Sequence, residues 1–123
     1  MQKNTIDGYD VIQDEEEMVK YLQNGFGFAH WEGGDSMSPL LKDGEYVIIE
    51  PIKSISEVKQ GDIVFCRLHD SDSWMTHMVW IKNEATNECL IGSTSGSLYG
   101  WTNDILGIGK RTKDRVIKNY NIF

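Results

Sequence analysis

The sequence predicts a mostly β fold with one helix at the N-terminus. Three observations carry this. One early segment has helical periodicity. Short β-branched and aromatic runs follow it at turn-separated intervals. Gly-Asp, Asp-Ser-Asp-Ser and Asn-Glu-Ala-Thr-Asn divide those runs, and such sequences favour turns over regular structure.

The helix is predicted over residues 14–25, "DEEEMVKYLQNG". Asp14 is placed to cap it, with Glu17 three residues on as in a capping box. Met18, Tyr21 and Leu22 fall on one face by the i, i+3, i+4 rule. Three acidic residues in the first turn suit the helix dipole, and Asn24-Gly25 supplies a stop.

Strands are predicted at 27–33 ("GFAHWEG"), 45–50 ("EYVIIE"), 61–68 ("GDIVFCRL"), 75–82 ("MTHMVWIK"), 88–93 ("ECLIGS") and 104–110 ("DILGIGK"), with a final one at 114–123 ("DRVIKNYNIF"). No internal repeat or low-complexity segment interrupts them. At 123 residues the chain is expected to be a single domain, 1–123, with a modest core.

Charge narrows the function. Nineteen acidic residues against twelve basic ones give a net charge of −7, the wrong sign for a chain that grips nucleic acid. The basic stretch "KRTKDRVIK" at 110–118 reads as a solvated strand end. No apolar run reaches the roughly 18–20 residues that span a bilayer, so no membrane insertion is expected. The first residues are polar and acidic, unlike a secretory signal. Cys66 and Cys89 sit in apolar runs with no metal or disulfide spacing, as buried thiols in a reducing compartment would. The expected location is the cytoplasm or the interior of a phage particle.

Ser36, in "GGDSMSP", is the first candidate for chemistry. A serine needs a base to take its proton and fixed donors for the oxyanion. Gly33 and Gly34 let backbone approach a substrate closely. By itself the segment also reads as an ordinary turn. His77, in "MTHMVWI", is the second. Strand alternation predicts His77, Val79 and Ile81 on one face and Met78, Trp80 and Lys82 on the other. That gives His77 apolar neighbours, as a base in a dry cleft has, and turns Lys82 away from it. A core histidine with a satisfied hydrogen bond has the same pattern. His69, Asp70, Asp72 and His77 match no metal motif, and no metal site is expected. "GSTSGS" at 92–97 lacks the lysine of a phosphate loop.

Read in order, "GDSMSPLLKDGEYVII", "GDIVFCR", "THMVWI", "CLIGS" and "DILGIGKR" resemble the boxes of the signal peptidase and LexA-like serine peptidase superfamily, over about residues 33–111. The resemblance implies a partly open barrel of coiled β-sheets. It implies Ser36 as the nucleophile of the Ser-Met-x-Pro box and Gly61-Asp62 as the second box. It puts His77-Met78-Val79 where the histidine branch carries its general base in a pattern like His-Arg-Val. Gly34 and Asp35 fall at the approach to the nucleophile, with oxyanion or supporting roles, and Met37 and Pro39 at the substrate cleft. The histidine branch has an aspartate after the glycine of the fourth box. Here that pair is Gly92-Ser93, and Asp104 lies nearby, so support for His77 is left open between Ser93 and Asp104.

A LexA-like repressor would add a helix-turn-helix and an Ala-Gly self-cleavage site. The roughly 30 residues before the motif hold one acidic helix and no such pair. The resemblance therefore implies a small serine endopeptidase using a Ser-His dyad, with a peptide or protein substrate and no metal or organic cofactor. The alternative is a catalytically silent copy of the fold that binds a protein partner, for example a phage particle component.

Overall fold

The computed structural model describes residues 4–32 and 45–111. They form β1 (Thr5–Ile6), β2 (Tyr9–Asp10), α1 (Glu15–Gln23), β3 (Phe28–Glu32), β4 (Glu45–Pro51), a 3-10 turn at Ile55–Glu57, β5 (Ile63–Arg67), β6 (Trp74–Asn83), β7 (Glu88–Gly92), β8 (Leu98–Thr102) and β9 (Ile105–Arg111). The expected strand at 114–123 lies outside the described residues.

β1 and β2 make a separate ribbon, and the other seven strands form one sheet in the order β3-β4-β9-β5-β6-β7-β8. Every pairing in that sheet is antiparallel. β3 and β8 stand at its two edges, so the sheet is open rather than a closed barrel. The fold is mostly β with one helix.

Strand alternation divides the core in two. On one face Phe28, Val47, Ile49, Ile63, Phe65 and Met78 pack with Ile12 and with Met18 and Leu22 of α1. On the other, Val64, Cys66, Val79, Cys89, Ile91 and Ile105 pack with Val58, whose segment also brings Ile52 and Ile55. A sheet covered on both faces loses the polar half of its alternation, which is why β5 reads as an unbroken apolar run. Gly107 and Gly109 of β9 allow the first face to close. A Cβ on Gly107 would come within 2.7 Å of Ile49 Cγ2, and one on Gly109 within 2.7 Å of Ile63 Cγ2.

α1 begins as the sequence predicts, with the Asp14 carboxylate accepting from Glu17 N–H at 3.0 Å. The second half of the predicted capping box is not among its caps. The helix ends in a Schellman motif: Gly25 takes φ +85°, its N–H donates to Leu22 O, and Phe26 N–H donates to Tyr21 O. Glu15, at the first turn, accepts from Trp74 N–H at 2.8 Å and fastens the helix to the start of β6.

Three elements escape the sequence reading. The β1–β2 hairpin turns on Asp7-Gly8, both at positive φ, and Asp-Gly between apolar residues was the signal for it. Ser54 and Glu57 form a complete capping box on the 3-10 turn. β8 follows a Gly/Ser-rich turn and contains Gly100 at φ +148°, so it lacks a clean alternation.

Candidate active site

His77 lies in the first half of β6, opposite Val64 of β5. Alternation from Val79 places its ring on the side of the second core cluster, and the residue is half-buried. Its Nδ1 is fully buried and has no hydrogen-bond partner among the described residues. Burial holds its pKa below the ordinary 6.5, because a low-dielectric surrounding disfavours the charged ring. The imidazole is therefore neutral at pH 7 and has one nitrogen free to accept a proton. The Tyr99 ring packs against it with centroids 4.8 Å apart and planes tilted by 55°.

The faces of β6 follow the prediction only as far as Trp80. A bulge between Val79 and Ile81 then reverses them: Ile81 pairs with Leu90, and Lys82 pairs with buried Cys89. Ile81 is 50% exposed, whereas the Lys82 side chain is only 5% exposed. The expectation that Lys82 points to the opposite face is thus corrected. The extra residue shifts the period-two pattern by one. Lys82 still makes a poor base. Five residues along a strand separate it from His77 by roughly 15 Å, and its ammonium donates to Ile55 O at 3.1 Å.

The β6–β7 ladder ends at Met78 opposite Gly92, so one further step brings Ser93 level with His77. The Ser93 hydroxyl is spent elsewhere. It accepts from Ser97 N–H at 3.1 Å and lies 2.9 Å from Ser95 Oγ, closing the turn into β8. The Ser93 carbonyl accepts from Trp80 Nε1–H at 2.8 Å. Asp104 is held by Arg67, whose Nε donates to its carboxylate at 2.9 Å, while the Arg67 guanidinium covers the Trp74 ring at 4.9 Å. Neither Ser93 nor Asp104 hydrogen-bonds His77, contrary to the expectation that one of them would. Ser93 closes a local turn, and Asp104 pairs with Arg67 on β5.

Ser36, Gly34, Asp35, Met37 and Pro39 lie outside the described residues. The strands that carry their segment are fixed: β3 and β4 pair in antiparallel register from Phe28–Ile49 to Glu32–Glu45.

The remaining candidates separate. His69 pairs with Glu88 at 3.1 Å, and no three metal-ligating side chains converge among the described residues. Cys66 and Cys89 are free, buried thiols, and burial pushes Cys66 up to about 12, which removes it as a nucleophile. Tyr99 is the site residue that the sequence reading missed. Its one sequence signal is the aromatic before Gly100 directly after a Gly/Ser turn, a place suited to a bulge. No described helix is long and apolar enough to cross a membrane.

Comparison with known proteins adds one finding. A family model described as Peptidase S24-like matches residues 2–84. No curated protein and no solved structure matches the chain. The match takes in Ser36 and His77, and stops before Ser93, Tyr99 and Asp104. It spans well over half of the sequence, and the chain belongs to the Peptidase S24-like family, within the LexA and signal peptidase-like superfamily.

Proposed function

We propose that the protein is a serine endopeptidase in which Ser36 and His77 form the catalytic dyad. The observation that carries this reading is His77 itself: half-buried, neutral, with an unpartnered buried Nδ1. A buried polar atom without a partner costs about 1–3 kcal/mol, and such groups collect at sites of function. Family membership and the Ser-Met-x-Pro box support Ser36 as its partner.

In this mechanism Ser36 Oγ attacks the scissile carbonyl as His77 takes its proton. Backbone amides near Gly34 and Ser36 receive the oxyanion. The imidazolium then protonates the leaving amine. Water, deprotonated by the same imidazole, hydrolyses the acyl-enzyme and restores Ser36. No step calls for a metal or organic cofactor.

The test is covalent labelling. An acylating serine probe should modify Ser36, located by peptide mass spectrometry, and the label should vanish in Ser36→Ala and His77→Ala. Labelling that persists in His77→Ala would remove His77 from the mechanism.

One observation favours a second reading. Among the described residues no carboxylate hydrogen-bonds His77, since Ser93 closes a turn and Asp104 belongs to Arg67. A silent copy of the fold that binds an extended peptide needs no such group. It would leave Ser36 unlabelled while retaining partner binding.

A further inference from the structure

We propose that Tyr99 is the positioning residue of His77, its aromatic ring taking the part that a carboxylate plays in a catalytic triad. This rests on His77 as the general base and says what steadies the cation that the base becomes. A base that accepts the serine proton must carry a positive charge through the transition state. Triads meet that charge with a buried aspartate. Here Ser93 is committed to Ser95 and Ser97, and Asp104 to Arg67.

What the imidazole does have is an aromatic ring at 4.8 Å. Cations within about 6 Å of a ring centroid are attracted by the ring quadrupole, more strongly where water is excluded. The contact is built by a local irregularity. β7 and β8 pair Gly92 with Leu98 and Ile91 with Gly100, which leaves Tyr99 as the extra residue of a bulge. Strict alternation would send Tyr99 and Gly100 to opposite faces. The bulge lets both reach one side, Tyr99 against His77 and Gly100 beside Leu68. Gly100 at φ +148° adopts a backbone that other residues resist, and it adds no side chain beside the ring.

The described residues paired with His77 or flanking it on its own face are apolar: Val64 from β5, and Met75 and Val79 on β6. Among the described residues Tyr99, from β8, is the titratable group whose ring packs against it. Tyr99 is 41% exposed, so its replacement should leave the core intact.

The experiment is an NMR titration of the three histidines, assigned through His77→Gln, in the native chain, Tyr99→Phe, Tyr99→Leu and Tyr99→Met. Leu and Met keep an apolar neighbour and remove the quadrupole. The expected result is a His77 midpoint unchanged in Tyr99→Phe and lower by about half a pH unit in Tyr99→Leu and Tyr99→Met, from the strength of an exposed cation–π contact. His30 and His69 should not move. A His77 midpoint that stays put or rises in Tyr99→Leu and Tyr99→Met would overturn the proposal, as would equal shifts in all three histidines. Turnover gives the second readout. kcat should fall several-fold in Tyr99→Leu, with KM little changed, and recover in Tyr99→Phe. The titration needs no activity. If Ser36 never labels, the dyad fails, and the titration still decides whether Tyr99 governs the charge on His77.

Discussion

His30 and His77 form a natural pair. Both sit on strands, both are half-buried, and burial pulls both pKa values below the ordinary 6.5. They differ at Nδ1. His30 Nδ1 lies 3.2 Å from the Ile12 carbonyl, which fixes the tautomer with the proton on Nδ1 and ties β3 to the segment before α1. His77 Nδ1 is equally enclosed and bonds to nothing described. Equal burial with unequal satisfaction separates a histidine that ties two segments of the fold together from one whose enclosed Nδ1 meets no described partner. The sequence offered no such distinction, since each is a histidine among apolar residues in a strand.

The largest expected effect breaks the symmetry through chemistry. Ser36→Ala and His77→Ala should each lower turnover by at least about 10³-fold, the scale seen when one member of a catalytic unit is removed. His30→Gln should stay within about twofold. A large loss in His30→Gln with a folded, cooperative variant would mean that the partnered histidine serves the chemistry.

A second effect, about tenfold, sharpens the comparison by supplying His77 with the charge it lacks. Ser93 is next in register after the Gly92–Met78 pair, so Ser93→Asp places a carboxylate level with His77. The anion should raise the His77 pKa, because it favours the charged ring, and increase kcat about tenfold. Ser93 also closes the turn into β8, and Asp can still accept from Ser97 N–H. An unchanged His77 titration in a folded Ser93→Asp would place residue 93 out of reach of the ring.

Much of this was legible beforehand, and the misses have local causes. Asp14, Met18, Leu22 and Gly25 announced α1 because capping and periodicity are local signals. β4, β5 and β9 were evident as β-branched runs. The face of Lys82 was misjudged because one extra residue at Trp80 inverts everything after it, and sequence does not mark where a ladder slips. Tyr99 was missed for the same reason: its contact with His77, two strands away in the sheet, depends on a bulge. His77 was singled out by the resemblance of its strand to the box that carries the general base in the histidine branch. Its missing partner was visible only in three dimensions.

The third effect is on stability and runs opposite to activity. His30→Ala strands the Ile12 carbonyl and should cost about 1–2 kcal/mol. His77→Phe removes a buried atom that has no partner and keeps a ring beside Tyr99. It should be neutral or stabilising by up to about 1 kcal/mol, as substitutions at strained functional positions often are. Urea denaturation of both variants checks this. A loss at His77→Phe as large as that at His30→Ala would show His77 to be an ordinary core residue.

The smallest effect is in pH dependence, and its sign follows from the two depressed pKa values. Each histidine binds a proton more weakly in the folded chain than in the unfolded one, whose imidazoles titrate near 6.5. Below that value the unfolded state takes up more protons, so acidification favours unfolding. The stability these groups confer is fully present above pH 6.5 and is lost as pH falls through their folded pKa values. Urea midpoints measured between pH 7 and pH 5 should therefore decline. The decline should shrink in His30→Gln and shrink further when His77→Phe is added. Activity should follow His77 alone: falling on the acid side with a midpoint below 6.5, the same that NMR gives for His77, and unaffected in midpoint by His30→Gln. A rate that climbs only above pH 9 would require a lysine base. That outcome would reassign the proton transfer from the histidine whose Nδ1 has no described partner to an amine such as that of Lys82, which donates a hydrogen bond to Ile55 O.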